Sequence, residues 1–188
     1  MYSSILNKVS MSISSRKPKQ LDREGLLEYA LRTLTARALS SGEMRQRLLR
    51  RTQTAADVDA TLDRLKEYGY LNDQKFADSF AAGRRENQGF GKQRVLRDLR
   101  QRRVAPALAE KAVAGAFSGT EEEALILEYL KRKFRKLDLA VYLAEPAKLN
   151  SVFRKLRYAG FSAGTSIRVL RRYTELANQL EDSAQEPE

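Results

Sequence analysis

Two kinds of residue in this chain have the types and spacing for chemistry: closely placed carboxylates, and a glycine-rich turn that leads into a lysine. Asp57 with Asp59, and Glu121 to Glu123, have the proximity that general acid–base catalysis uses. Each set falls where a helix is expected to begin, and acidic side chains there complement the helix dipole without any catalytic role. Gly89-Phe90-Gly91-Lys92 invites comparison with a phosphate loop, but it lacks the GxxxxGK pattern followed by Ser or Thr, and no strand precedes it. It reads as a helix entry turn whose amides can still help an anion bind. The 188 residues contain no His and no Cys, which removes imidazole bases, thiol nucleophiles, disulfides and most zinc sites together. No catalytic, cofactor or metal residue is assigned, and the chain is read as a non-enzyme.

The cations offer chemistry of another kind. The formal net charge is +11 and the pI is near 10, which points to a polyanionic partner: nucleic acid, an anionic membrane or an acidic protein surface. The charge is unevenly placed. Residues 84–103 carry eight basic and two acidic side chains and residues 131–172 carry twelve and two, so the remainder is net acidic. Within the first window Val95, Leu96 and Leu99 mark an inner helix face; Arg94 and Arg97 project opposite it, with Arg102 and Arg103 at the end. By the same stepping, Arg132, Arg135 and Lys136 point away from the core of a long helix, Arg154 and Lys155 do so on the next, and Arg168, Arg171 and Arg172 on the last. Together with Arg84, Arg85 and Lys92, and leaving out Arg102 and Arg103, these form the candidate binding set. A charged outer face on any one helix is ordinarily a solvated face. The whole set, spread along an elongated surface, is suited to following a phosphate backbone with salt-dependent, largely sequence-independent affinity. Tyr68, Tyr70, Phe76 and Phe80 fall at core spacing and are expected inside, not as base-stacking platforms. Tyr158 lies off the apolar face of its helix.

The elements that must position these residues are helices. A first begins near Asp22 and buries Leu26, Leu27, Ala30, Leu31 and Leu34. Ser40 with Glu43 has capping-box spacing and opens a second, with Met44, Leu48 and Leu49 inward. Thr54 with Asp57 is a weaker start for a third, which carries Val58, Leu62 and Leu65 and ends at Gly69. Asn72 or Asp73 restarts the chain for a helix to about Arg85 with Phe76, Ala77 and Phe80 inward, followed by helices from Lys92 to Arg103 and from Pro106 to Phe117. Thr120 with Glu123 is a further capping box, opening a helix through Ile126, Leu127, Leu130, Phe134 and Leu137. Leu139 to Tyr142 reads as loop or helix end. Pro146 opens a helix with Leu149, Val152, Phe153 and Leu156, closed by Gly160, and a last one runs from about Ala163 to Leu180 through Ile167, Leu170 and Tyr173.

Met44, Val95 and Val152 align at offsets of 51 and 57 residues, as do Leu48, Leu99 and Leu156. The fold class is therefore all-α: an elongated tandem array of three three-helix repeats, residues 21–71, 72–118 and 119–180. Residues 1–20 and 181–188 are expected to be flexible tails, with Met11 an alternative start. No apolar run has the length of a membrane span or a signal peptide, so a cytoplasmic protein without a membrane partner is expected.

The corner Gly69-Tyr70-Leu71-Asn72-Asp73 with Phe76-Ala77, then Arg84-Arg85 and Gly89 to Lys92 leading into Val95 and Leu99, resembles the RecX family of regulators of the RecA recombinase. Ser41, Glu43, Met44 and Leu48 resemble that family's first-unit pattern. The likeness covers about Leu26 to Tyr173. It implies an all-helical array of three-helix repeats with no active site and no cofactor, acting as a monomer in homologous recombination, DNA repair and the SOS response. The implied partners are the RecA nucleoprotein filament and single-stranded DNA, with double-stranded DNA as a second nucleic acid. The implied action is to block filament extension and inhibit ATP hydrolysis, strand exchange and coprotease activity. The alternative is a direct, sequence-independent DNA-binding protein with helix-turn-helix-like units.

Overall fold

The structure, a computed structural model, describes residues 20–180. The expected tails, with Met11, therefore lie outside the described residues except for Gln20. Ten α-helices and one 3-10 turn make up the described residues: α1 Arg23–Ala36, α2 Ser41–Leu49, α3 Ala55–Glu67, α4 Asp73–Gln88, α5 Lys92–Gln101, α6 Pro106–Ala116, α7 Glu122–Lys133, α8 Leu139–Leu143, α9 Pro146–Ala159, α10 Ala163–Leu170, then the 3-10 turn Glu175–Gln179.

The starts of these helices follow from side chains that satisfy their first amides. Asp22 accepts from the Gly25 amide, Asn72 from Lys75 and Ser162 from Thr165, while Ser40 and Glu43 complete a reciprocal capping box. Each such cap contributes about 1 kcal/mol. Gly69 at φ +74° follows α3, so the chain reverses where a side chain would be strained.

Buried side chains gather in three clusters. Leu26, Met44, Leu48, Val58 and Leu65 centre the first, Ala77, Val95, Leu99 and Phe117 the second, and Ile126, Leu130, Val152, Leu156 and Phe161 the third. The six residues aligned at offsets of 51 and 57 are all fully buried, each adding about 1.5–3 kcal/mol of apolar burial. Phe90 and Leu125 pack against both the second and third clusters.

Several expectations differ from the structure. Leu49 and Leu137 are exposed: Leu49 follows the inward Leu48 by 100° at the end of α2, and α7 stops at Lys133, so its inner stripe ends with Phe134. Tyr68 and Tyr70 are more than half exposed. They flank the Gly69 reversal and pack edge-on against each other at 6.4 Å, with Arg64 over the Tyr68 ring. Phe76 and Phe80 are only partly buried. Thr54 caps nothing with its side chain, and no box forms at Thr120. The acids of that turn reach across the third cluster instead: Glu122 accepts from the Ser162 amide (2.9 Å) and hydroxyl (2.6 Å). Burial raises the Glu122 pKa, but these bonds and the one from Thr165 outweigh it and hold the carboxyl below its ordinary value. Leu139–Leu143 is a short helix capped by Asp138, and the last helix breaks after Leu170.

The three clusters are joined by one repeated device. At the first joint the Ser40 hydroxyl donates to the Arg102 carbonyl, and Gly42 lies so close to Arg103 that an added Cβ would fall 2.5 Å from its carbonyl oxygen. At the second, the Gly91 amide donates to Ala159 O (2.8 Å) and the Gln93 amide to Gly160 O (3.2 Å). The offsets of 51 and 57 carry 40 and 42 onto 91 and 93, and 102 and 103 onto 159 and 160. Arg103 and Gly160 both sit at positive φ, +58° and +92°. An arginine in that conformation is strained, so Arg103→Gly is expected to raise stability by about 0.5 kcal/mol after the unfolded-state entropy of glycine is subtracted. Urea unfolding measures it, and a loss of stability would mean the Arg103 Cβ packing against Gly42 outweighs the strain.

Candidate nucleic-acid interface

Helix α5 carries the densest basic sequence, and its inner face is not wholly apolar. Beside Val95 and Leu99 it buries Asp98, which is 5% exposed. Asp98 meets Arg94 one turn back (Nε to Oδ1, 3.0 Å) and Arg84 from α4 (Nε to Oδ2, 3.4 Å). Neither Arg94 Nε nor Asp98 Oδ2 has an aligned hydrogen-bond partner, so the pairing is Coulombic. The same guanidinium groups cover aromatic rings: Arg84 lies over Phe80 (4.9 Å) and Arg94 over Phe90 (5.3 Å) and Tyr158 (4.5 Å). Arg84 and Arg94 are thus turned inward to hold α4, α5 and α9 together.

Arg132 is held similarly. It donates to the carbonyls of Asn87 (3.2 Å) and Gln88, closing the C-terminal end of α4 from the third cluster. Arg85 donates to Ala116 O and pairs with Glu86. Arg168 and Arg172 both reach Glu123, with Arg168 at 2.9 Å. Lys92 lies near enough to Glu122 to lower that carboxyl's pKa. Arg171 is exposed beside them. Arg135 and Lys136 lie beyond the end of α7, exposed, and not on the long helix expected from the pattern.

What the fold does bring together lies at the second joint. Tyr158, 68% exposed, stands on α9 with Arg94 against it, and Arg97 Nη2 lies 3.4 Å from its carbonyl oxygen. Beside it Tyr129, Ser151, Arg154, Lys155 and Tyr158 line a shallow hollow of about 300 Å³. Lys155 Nζ sits over the ring of Phe134 at 5.5 Å, and the residue that follows Phe134 in the chain is the exposed Arg135. The Arg94 guanidinium lowers the Tyr158 phenol pKa from its ordinary value and is itself raised in return. An exposed ring flanked by cations can stack on a base while the cations meet phosphates. Asp98, Tyr129 and Ser151 were not among the residues expected. Of these Asp98 was legible, since it lies on the Val95/Leu99 stripe one turn from an arginine.

Among the described residues no cluster of three or more acidic side chains has the arrangement of a metal site, and no helix is long and apolar enough to cross a membrane.

Comparison with known proteins agrees with this architecture. Residues 27–65 match the model of the RecX first three-helix domain and residues 72–113 that of the RecX second three-helix domain. Regulatory protein RecX of Deinococcus radiodurans is 36% identical over 126 residues, covering 65% of this chain and 58% of that protein, so the chain spans under two thirds of that relative's length. Regulatory protein RecX of Syntrophotalea carbinolica is 27% identical over 139 residues, covering 71% of this chain and 86% of that protein. The crystal structure of RecX from Lactobacillus salivarius superposes with a TM-score of 0.60 at 15% identity, covering 80% of this chain and 96% of that one, a likeness of fold. Two successive three-helix domains in their family order, on an all-helical fold shared with a solved member, show that this chain belongs to the RecX family.

Proposed function

We propose that this chain regulates the RecA recombinase in homologous recombination and DNA repair by binding the RecA nucleoprotein filament. In this reading it acts by occupancy, blocking filament extension and thereby inhibiting ATP hydrolysis, strand exchange and coprotease activity. Family membership supports the regulatory role and the absence of a reaction to catalyse. The observation that carries the binding surface is the group of cations around exposed Tyr158 at the second joint. The residues proposed to meet phosphate directly are Arg97, Arg135, Lys136, Arg154 and Lys155. Arg84, Arg94 and Arg132 hold the surface in shape, and Arg85, Lys92, Arg168, Arg171 and Arg172 extend the positive field around it.

The deciding experiment is RecA-catalysed, single-strand-dependent ATP hydrolysis with this chain added at less than one copy per recombinase. Strong inhibition is expected. No effect until the DNA itself is saturated would make the chain a direct DNA-binding protein, the reading that the ring-and-cation arrangement at Tyr158 also suits.

The surface itself is tested by the double substitution Arg97→Glu with Lys155→Glu. Both side chains are exposed, so the variant is expected to keep the parent helicity by circular dichroism. Losing two phosphate contacts lowers the slope of log affinity against log salt by about 1.4 for single strands. An unchanged slope in fluorescence-anisotropy titrations would place the phosphate contacts elsewhere.

A further inference from the structure

Between the first and second clusters runs a groove of about 900 Å³. Leu31, Leu34 and Leu39 line one side, Phe76 and Phe80 the other, and exposed Tyr70 stands at its edge. The two phenylalanine rings are stacked at 5.9 Å and only partly buried by their own cluster. Arg37, Lys75 and Arg102 also line the groove, and no carboxylate does. Glu43 takes Arg37 at 3.3 Å and Arg102 at 2.9 Å, one charge against two. Among the described residues Lys75 has no ionic partner. An apolar floor of Leu and Phe under a net positive rim matches one chemistry well.

We propose that this groove seats an acidic amphipathic helix supplied by a protein partner. Its apolar stripe, at i, i+3, i+4 and i+7, lies on the leucine and phenylalanine floor while its carboxylates meet Arg37, Lys75 and Arg102. The chain's own ends fit poorly. Residues 1–19 carry Lys8, Arg16, Lys17 and Lys19 with no acid, so the rim repels them; residues 181–188 are acidic but offer only Ala184 and the helix-breaking Pro187 as apolar side chains. A nucleic acid would leave the apolar floor without a counterpart. Because the groove spans a joint made of few hydrogen bonds, an occupant ties the first cluster to the second. This reading is independent of the surface around Tyr158, and either can fail alone.

The test uses the full chain and a fluorescein-labelled helical peptide of about five turns with leucines on one stripe and glutamates elsewhere. Binding is expected, with Lys75→Glu weakening it about tenfold, Tyr70→Ala weakening it less, and both variants keeping the parent helicity. A matched peptide with lysines for glutamates should not bind. The proposal is overturned if both peptides bind alike or if Lys75→Glu changes nothing. It is also overturned if deleting residues 1–19 strengthens peptide binding, which would make that segment the occupant. A chain that sediments as a dimer and reverts to monomer with Lys75→Glu would overturn it too, assigning the groove to a second copy.

Discussion

Replacing Asp98 with alanine is expected to cost about 2–3 kcal/mol of stability, with a fall in melting temperature of about 4–12 °C. The carboxylate is buried between two arginines whose side chains are 27% and 20% exposed. Removing it leaves two guanidinium groups facing each other across an apolar layer. Breaking a fully buried pair costs more, about 3–5 kcal/mol; here partial solvation of both arginines reduces the penalty. Asp98→Asn keeps the volume and loses only the charge, so it should fall between parent and alanine. The mechanism is separable from simple loss of packing by a double-mutant cycle. In the Asp98→Ala background, Arg84→Met should cost less than in the parent, or even restore stability, because it removes one of the orphaned charges. If Arg84→Met costs the same in both backgrounds, the pair is not what Asp98 contributes.

That network also shows what was readable beforehand. Helix starts with a side-chain cap, such as Ser40–Glu43 and Asn72, are local and were legible. So were the six aligned core positions, because four-residue spacing repeats at 51 and 57. The basic set was legible as composition but not as geometry. Helical stepping identifies Arg94 as facing away from Val95, yet it cannot show that α9 of the next unit arrives there with Tyr158 and turns the guanidinium inward. Arg132 is a similar case: on its own helix it points outward, and only the approach of the α4 end, from 44 residues earlier, gives it carbonyls to hold. Tyr68 and Tyr70 went the other way, since the reversal at Gly69 carries their rings out of the stripe that predicted them inside. Contacts within a helix follow from spacing; contacts between units depend on how the units are joined.

That joining is most exposed to test at Gly91. Its φ is −79°, so alanine meets no backbone strain there. The obstacle is steric: a Cβ would sit 2.6 Å from the Gly160 carbonyl carbon and 2.8 Å from Phe161 Cδ1, where ordinary contact begins at 3.4 Å. Backbone cannot swing aside as a long side chain can, so the joint must open. Opening it lengthens the Gly91–Ala159 and Gln93–Gly160 hydrogen bonds and loosens Phe90 from the third cluster. Gly91→Ala is therefore expected to cost about 3 kcal/mol, concentrated at one boundary. Hydrogen exchange should quicken in residues 122–180 while α1 to α3 keep their protection. Nucleic-acid affinity should fall as well, since Arg97 and Arg154 stand on opposite sides of the joint. Gly115→Ala is the control: nothing lies within 4 Å of its added Cβ, and in the last turn of α6 it should stabilise by a few tenths of a kcal/mol, less than the ~1 kcal/mol of a helix interior. Loss of protection throughout the chain would mean the three clusters unfold as one body; unchanged exchange would mean the crossing yields at no cost. Selective loosening of the third cluster would show that the close backbone crossing of Gly91 and Gly160 is needed to align its basic surface with the second, and that the links through Arg94, Arg97 and Arg132 do not suffice without it.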